Sequence, residues 1–150
     1  MLNIISLGAG VQSTTMALMA AHGEITPMPD CAIFADTGGE PQAVYDHLDW
    51  LRKQLPYPIH VVSKGNLWNS VATVKRTKDG LRTYTETGIP VHTTGAEEPG
   101  VGKRQCTRNF KIWPIYQEVR RLVGKPRLTK RDGVVAEMWI GISLDRKSVV

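Results

Sequence analysis

Two glycines one residue apart, followed by two hydroxyls, are residues that can hold phosphate. In Gly8-Ala9-Gly10-Val11-Gln12-Ser13-Thr14 the small side chains leave backbone N–H groups uncovered, and Ser13 and Thr14 add hydroxyl donors of the kind a terminal phosphate requires. A second group, Asp36-Thr37-Gly38, sets a carboxylate and a hydroxyl ahead of a flexible turn. A third places one thiol, Cys106, among the cations Arg104, Arg108 and Lys111. Positive neighbours favour the thiolate, the form that a nucleophile or a metal ligand needs. The alternative for Cys106 is a small buried residue at the start of a helix.

These groups need elements to hold them. Leu2 to Leu7 is a short apolar run that predicts a buried strand, and Ser13 to His22 carries Met16, Ala17, Ala20 and Ala21 at helical spacing with Gly23 as a stop. The phosphate-seating turn therefore falls at the positive end of a helix dipole of roughly half a charge. Cys31 to Asp36 predicts a second strand, delivering Asp36 into its following loop. Pro41 can open a helix whose Val44, Leu48, Leu51 and Leu55 form one stripe, ended by Pro56 and Pro58. Ile59 to Val62 predicts a third strand, and Asn66 caps a helix carrying Leu67, Val71 and Val74. Thr77 to Gln105 is polar and longer than an ordinary connection, as functional lids or disordered segments are. Ile112, Ile115, Val119 and Leu122 then share a helical face closed by Gly124, with Pro114 at a new first turn or a kink, and Val134 to Ile142 is a last strand. Alternating strands and helices predict an α/β fold, Rossmann-like, with helices on both faces of a parallel sheet. Ligands of such sheets bind beyond the carboxyl ends of the strands, where Gly8 to Gln12 and Asp36 to Gly39 would meet.

The chain has 150 residues, a formal charge of +5 and a pI of about 9.4, which suits an anionic partner without requiring one. Residues 1–144 are read as one domain, C-terminally truncated. Asp145 to Val150 spells the translation of a common sequencing adapter up to a stop codon, so this tail is expected to be non-native. No apolar run approaches the roughly 18 to 20 residues of a membrane span, and no signal-type segment opens the chain; a cytoplasmic protein without a membrane partner is expected. Cys31 is read as a core residue. His22, His47 and His60 are read as structural or solvated, and His92 lies in the long loop. The tryptophans are assigned to packing. The cations Arg120, Arg121, Lys125, Arg127, Lys130 and Arg131 suit a solvated basic face better than a nucleic-acid surface.

Three phosphate-binding patterns compete for the first turn. The Walker pattern needs a lysine that is absent. The dinucleotide fingerprint G-x-G-x-x-G fits Gly8 and Gly10 but meets Ser13 at its third place, with Asp36 imitating the ribose-binding acid. The third is the PP-loop pattern S-G-G-x-D-S-[TA], read from Gly8 to Thr14. Further segments favour this one. Phe34 to Pro41 ("FADTGGEP") resembles the D-T-G-x-x-x-P-E-T segment of the phosphoadenylyl-sulfate (PAPS) reductase family, and Arg104 to Ile115 ("RQCTRNFKIWPI") resembles its C-C-x-x-R-K-x-x-P-L segment. "WIGIS" stands where that family has G-x-R-x-D-E. Taken in order, these segments make the chain similar to reductase-like proteins of phage and bacterial genomes, within the adenine-nucleotide alpha-hydrolase superfamily.

The resemblance implies an ATP-pyrophosphatase-type sheet, an adenine-nucleotide ligand such as ATP or phosphoadenylyl sulfate, and a place in sulfur metabolism with a thiol reductant such as thioredoxin. It assigns Gly8, Gly10, Ser13 and Thr14 to the cradle, with Ser6, Ala9 and Gln12 beside it. Asp36, Thr37 and Gly38 would line the nucleotide, and Arg104, Arg108 and Lys111 would face its anionic end. Cys106 would be the catalytic thiol. The match is incomplete. Gln12 stands where nucleotide-activating relatives carry an acid, which weakens the case for magnesium; an ion held through phosphate and Asp36 stays compatible. No metal-ligand set is assigned. The family's tail cysteine and its Cys-Cys pair are missing, so an iron–sulfur cluster is not supported. An ATP pyrophosphatase that adenylates an acceptor, as in nucleic-acid thiolation, and a non-catalytic nucleotide-binding module are the alternatives.

Overall fold

Ile4 and Ile5 are adjacent in sequence and both fully buried, so strand β1 (Leu2–Leu7) is covered on both faces. The computed structural model describes residues 1–81, 83–85, 92–93, 100–101 and 105–142; Arg104 and the tail from Asp145 to Val150 lie outside the described residues, as does the side chain of His92. Its main sheet is parallel throughout, in the order β3-β2-β1-β8, with β2 spanning Cys31–Asp36, β3 Ile59–Ser63 and β8 Ala136–Ile140. Strand order runs outward from β1 to β3, then returns to place β8 on the other side of β1. The reversal puts the loop after β1 at the switch point of the sheet, the usual ligand crevice of an open α/β fold.

Alternation of side chains across the pleat splits the core in two. On one face Ile5, Leu7, Ala32 and Phe34 pack under helices α1 (Val11–Ala21) and α2 (Gln42–Gln54), which supply Ala17, Ala20, Leu48 and Leu51, with Leu55 just past the end of α2. Tyr57 is buried there and donates its hydroxyl to the Ala17 carbonyl over 2.8 Å; burial pushes its pKa up to about 12. On the opposite face Ile4, Cys31, Ile33 and Ala35 pack with Ile115 and Val119. Helices thus cover both faces, as the alternation of elements predicts. Among the described residues no helix is long and apolar enough to cross a membrane.

Asn66 caps helix α3 (Leu67–Ala72) by accepting the Asn69 N–H, but that helix ends two residues before Val74, the last position of its predicted stripe. Thr73 donates its hydroxyl to the Asn69 carbonyl and leaves the helix in extended backbone. Val74 is 64% exposed and begins β4 (Val74–Arg76), which pairs antiparallel with β5 (Thr83–Thr85). A second short hairpin joins β6 (His92–Thr93) to β7 (Gly100–Val101). The polar stretch from Thr77 to Gln105, expected to be a functional lid or a disordered segment, therefore contains paired strands.

The last helix corrects the predicted stripe. Pro114 has no N–H to give the Phe110 carbonyl, and the chain widens there into a π-helical turn over Arg108–Ile112, with the Trp113 N–H reaching back to the Arg108 carbonyl. The wider turn rotates Ile112 outward to 59% exposure and buries Phe110 in its place. Helix α4 (Trp113–Val123) follows and ends at Gly124, left-handed at φ 73°, where the Lys125 N–H bonds the Arg120 carbonyl.

Candidate functional site

The loop after β1 is built around one buried hydroxyl. Ser13 Oγ accepts the Gly8 N–H and donates to the Gly10 carbonyl, each at 3.2 Å, folding the loop back onto the first turn of α1. Ala9 supports the bend with φ 52°, a left-handed conformation that costs a non-glycine residue about 1 kcal/mol or more. Gly10 is the N-cap and offers no side chain to the helix, and no acidic residue lies in the first turn. The N–H groups of Val11, Gln12 and Ser13 have no carbonyl four residues back within the helix; the first such bond runs from Thr14 N–H to the Gly10 carbonyl. A backbone nest at a positive helix end results, with the Ser13 hydroxyl shaping it from within. Of Ser13 and Thr14, the two hydroxyls of the phosphate-binding pattern, Thr14 is the one that faces outward, toward α2; Thr15 beside it also lines that side.

Gly141, just past β8, packs against the first turn of α1. A β-carbon there would stand 2.8 Å from the Gln12 carbonyl carbon and the Ser13 nitrogen. Ser6 lies between Ile33 and Ile140 in register, on the α4 face of β1, two residues before the loop.

The loop after β2 is held from two sides. Asp36 Oδ1 accepts the Gly38 N–H at 2.7 Å and the Tyr45 hydroxyl at 2.9 Å, and this bond to the carboxylate raises the Tyr45 pKa. Thr37 is buried, donates to Glu40 Oε1 over 3.0 Å and gives its carbonyl to the Leu67 N–H. Gly38, at φ 69°, passes so near Asn66 that a β-carbon would lie 3.0 Å from the Asn66 Cα, and its carbonyl accepts the Asn66 side-chain amide. Lys111 reaches this loop through Glu40, with Nζ 3.7 Å from the carboxylate oxygen. Lys64 lies over the Phe110 ring nearby, 5.5 Å from its centroid.

The structure thus brings Asp36, Thr37, Gly38 and Lys111 into one cluster at the carboxyl end of β2, and Gly8 to Thr14 into another at the end of β1. Cys106 is part-exposed on the helical run that leads into the π turn, Arg108 is exposed at the first residue of that turn, and among the described contacts neither bonds to either loop. Cys31 is buried as expected, its thiol pushed up to about 11 by burial and, secondarily, by the charges of Asp30 and Glu118. His60 pairs with Glu118 at 3.1 Å. In the basic segment, Arg121 makes two bonds to Glu118, Lys125 pairs with Asp132, and Arg120 lies over the Tyr116 ring, so local partners engage three of its six cations.

His47, read from the sequence as structural or solvated on the polar side of α2, has contacts that periodicity does not foretell: its Nε2 lies 3.0 Å from Thr14 Oγ1 and its ring stacks on Trp50. Between the two helices is a cavity of about 400 Å³, lined by Ala9, Gly10, Val11, Thr14, Val44 and His47 among others. Its size is within the usual range for a small-molecule site. Among the described residues no cluster of three or more histidines, cysteines or acids could hold a metal ion.

No known family model, curated protein or solved structure matches the chain.

Proposed function

We propose that the chain binds an adenine nucleotide at the carboxyl end of its sheet and is a PAPS reductase-like enzyme, acting on a sulfonucleotide such as phosphoadenylyl sulfate. The observation that carries this reading is the loop after β1: a nest of amides, braced by Ser13, at the start of α1 and at the switch point of the sheet.

Magnitudes show what else the site must supply. Three or four charge-assisted hydrogen bonds at about 1.5 to 3 kcal/mol each must overcome about 4 kcal/mol or more of association cost. Micromolar affinity, about 8 kcal/mol, needs contacts beyond the nest. The cluster around Asp36, Thr37 and Gly38 lies one strand away and suits the nucleoside, and Lys111 suits the anionic end. Cys106, near those cations in sequence, is the thiol assigned to attack the sulfonyl sulfur; the S–O bond to the nucleotide breaks, the nucleotide phosphate leaves, and an external dithiol then attacks Cys106 Sγ, releases sulfite and closes to a disulfide as it frees the thiol. Magnesium fits only a minimal site: Asp36 has one oxygen engaged by Gly38 and Tyr45 and a second to offer, with the remaining ligands drawn from phosphate and water.

Isothermal titration with ATP, sulfonucleotides and NAD tests the reading. Binding of the adenine nucleotides in preference to NAD is expected; tight binding of NAD alone, or of none, would reject it. Sulfite release from a sulfonucleotide in the presence of a dithiol separates the reductase from an ATP pyrophosphatase, which would instead release pyrophosphate.

A further inference from the structure

We infer that His47 is a positioning residue that turns the Thr14 hydroxyl toward a tetrahedral oxyanion, phosphate or sulfate, entering the cavity between α1 and α2. The inference rests on the nucleotide reading above for the larger ligand, but not for the anion itself.

Four observations lead to it. The cavity has largely apolar walls, and among the described residues no acidic side chain lines it, His47 is its ionisable group, and Thr14 and the solvent-exposed Thr15 bring the hydroxyls. Of the hydroxyls in the loop, that of Ser13 is spent on Gly8 and Gly10, whereas Thr14 Oγ1 has His47 Nε2 as its partner. The Thr14 N–H already bonds the Gly10 carbonyl, so the hydroxyl is the one group Thr14 has left to offer. Stacking on Trp50, with ring centroids 5.5 Å apart and 24° between planes, holds the imidazole in place.

A threonine hydroxyl has one proton, and the 3.0 Å contact to Nε2 decides where it goes. Were the proton given to Nε2, Thr14 would present only lone pairs to the cavity and repel an oxyanion. With the proton on Nε2 instead, the ring donates to Oγ1, and the hydroxyl proton is free to point at the ligand. Nε2–H therefore makes Thr14 a donor beside the amides of the first turn, and the histidine acts without touching the anion. Which oxyanion enters is a matter of source: a nucleotide phosphate and a sulfonyl group offer the same geometry and the same acceptors.

The test uses the full chain and titrates pyrophosphate, sulfate, ATP, a sulfonucleotide and adenosine into wild type, Thr14→Val, Thr14→Ser, His47→Phe, His47→Gln and the Val/Phe double variant, each first shown to keep the wild-type melting temperature. Thr14→Val and His47→Phe should each weaken the anionic ligands about tenfold or more, and the double variant should be no worse than either. Thr14→Ser and His47→Gln, which keep the hydroxyl and a donor, should recover most of the loss; adenosine should bind unchanged. Nitrogen-15 spectra of the free protein should show His47 carrying its proton on Nε2. Additive losses, a His47→Phe chain with wild-type affinity, an equal loss for adenosine, or a proton on Nδ1 alone would each overturn the inference. Nucleotide binding that ignores His47 sinks this inference and leaves the nucleotide reading in place. Pyrophosphate or sulfate binding that depends on His47 in a chain that takes no nucleotide does the reverse, and a wild-type chain that binds none of the five overturns both. Comparing pyrophosphate with sulfate, and ATP with the sulfonucleotide, identifies the oxyanion.

Discussion

Gly141 and Gln12 meet without room for a methyl group between them: a β-carbon on Gly141 would lie 2.8 Å from the Gln12 carbonyl carbon and 3.0 Å from its oxygen. The contact fastens the end of β8 to the first turn of α1, and backbone on both sides leaves no flexible atom to move aside.

Gly141→Ala should therefore force the two elements apart, at a cost of about 1 to 3 kcal/mol typical of overpacking, and should disturb the amide nest as it does so. Urea unfolding would show the lower midpoint, and titration with ATP would show weaker binding. Wild-type values in both would mean that the two backbones do not touch in solution.

Glu40 offers a carboxylate to Thr37 and Lys111, two groups assigned to the nucleotide and its anionic end. Removing that charge with Glu40→Gln should strengthen ATP binding about two- to fivefold, the range of a partly exposed ion pair. The gain should shrink at high salt. Calorimetry at two ionic strengths checks this, and an unchanged affinity would separate Glu40 from the site.

The two thiols should differ sharply in reactivity. Cys31 is buried in β2 with its pKa pushed up to about 11, while Cys106 is part-exposed. At pH 8 a chromogenic disulfide reagent should modify one thiol per native chain, at least about a hundredfold faster than the other. Cys106→Ser should abolish that fast phase, and Cys31 should react only after denaturant is added. Two equally fast thiols would contradict the packing of β2.

Asp132 is held down to about 2, first by its bond to Lys125 and then by the Thr129 N–H and hydroxyl, against an ordinary value of 3.8. Since the fold favours the ionised form, the stabilisation is complete above the ordinary value and is lost as pH falls through about 2. Asp132→Asn should flatten the acid limb of a stability curve between pH 4 and 2, as followed by circular dichroism. An unaltered limb would show that the connection from α4 to β8 holds without this carboxylate.

Much of this architecture was legible in residue order. The Val44, Leu48, Leu51 and Leu55 stripe, the Asn66 cap and the Gly124 stop all lie where their chemistry predicts, because each depends on neighbours within a few residues. The stripe of the last helix failed at Ile112, where a proline two residues later widened the turn and changed the phase, and that of α3 failed at Val74, which lies past the extended Thr73 and pairs in a hairpin instead.

Periodicity and turn chemistry by themselves determined that a parallel sheet would be covered on both faces and that a small-residue turn would end its first strand, since buried strands and apolar helix faces have few other ways to leave water. The tertiary structure alone decided that Ser13 turns inward while Thr14 meets a histidine 33 residues away, and that Gly141 closes on Gln12. Those contacts depend on how far one helix slides along another and on which strand lies beside β1. Packing across the sheet sets both, and no local pattern encodes them.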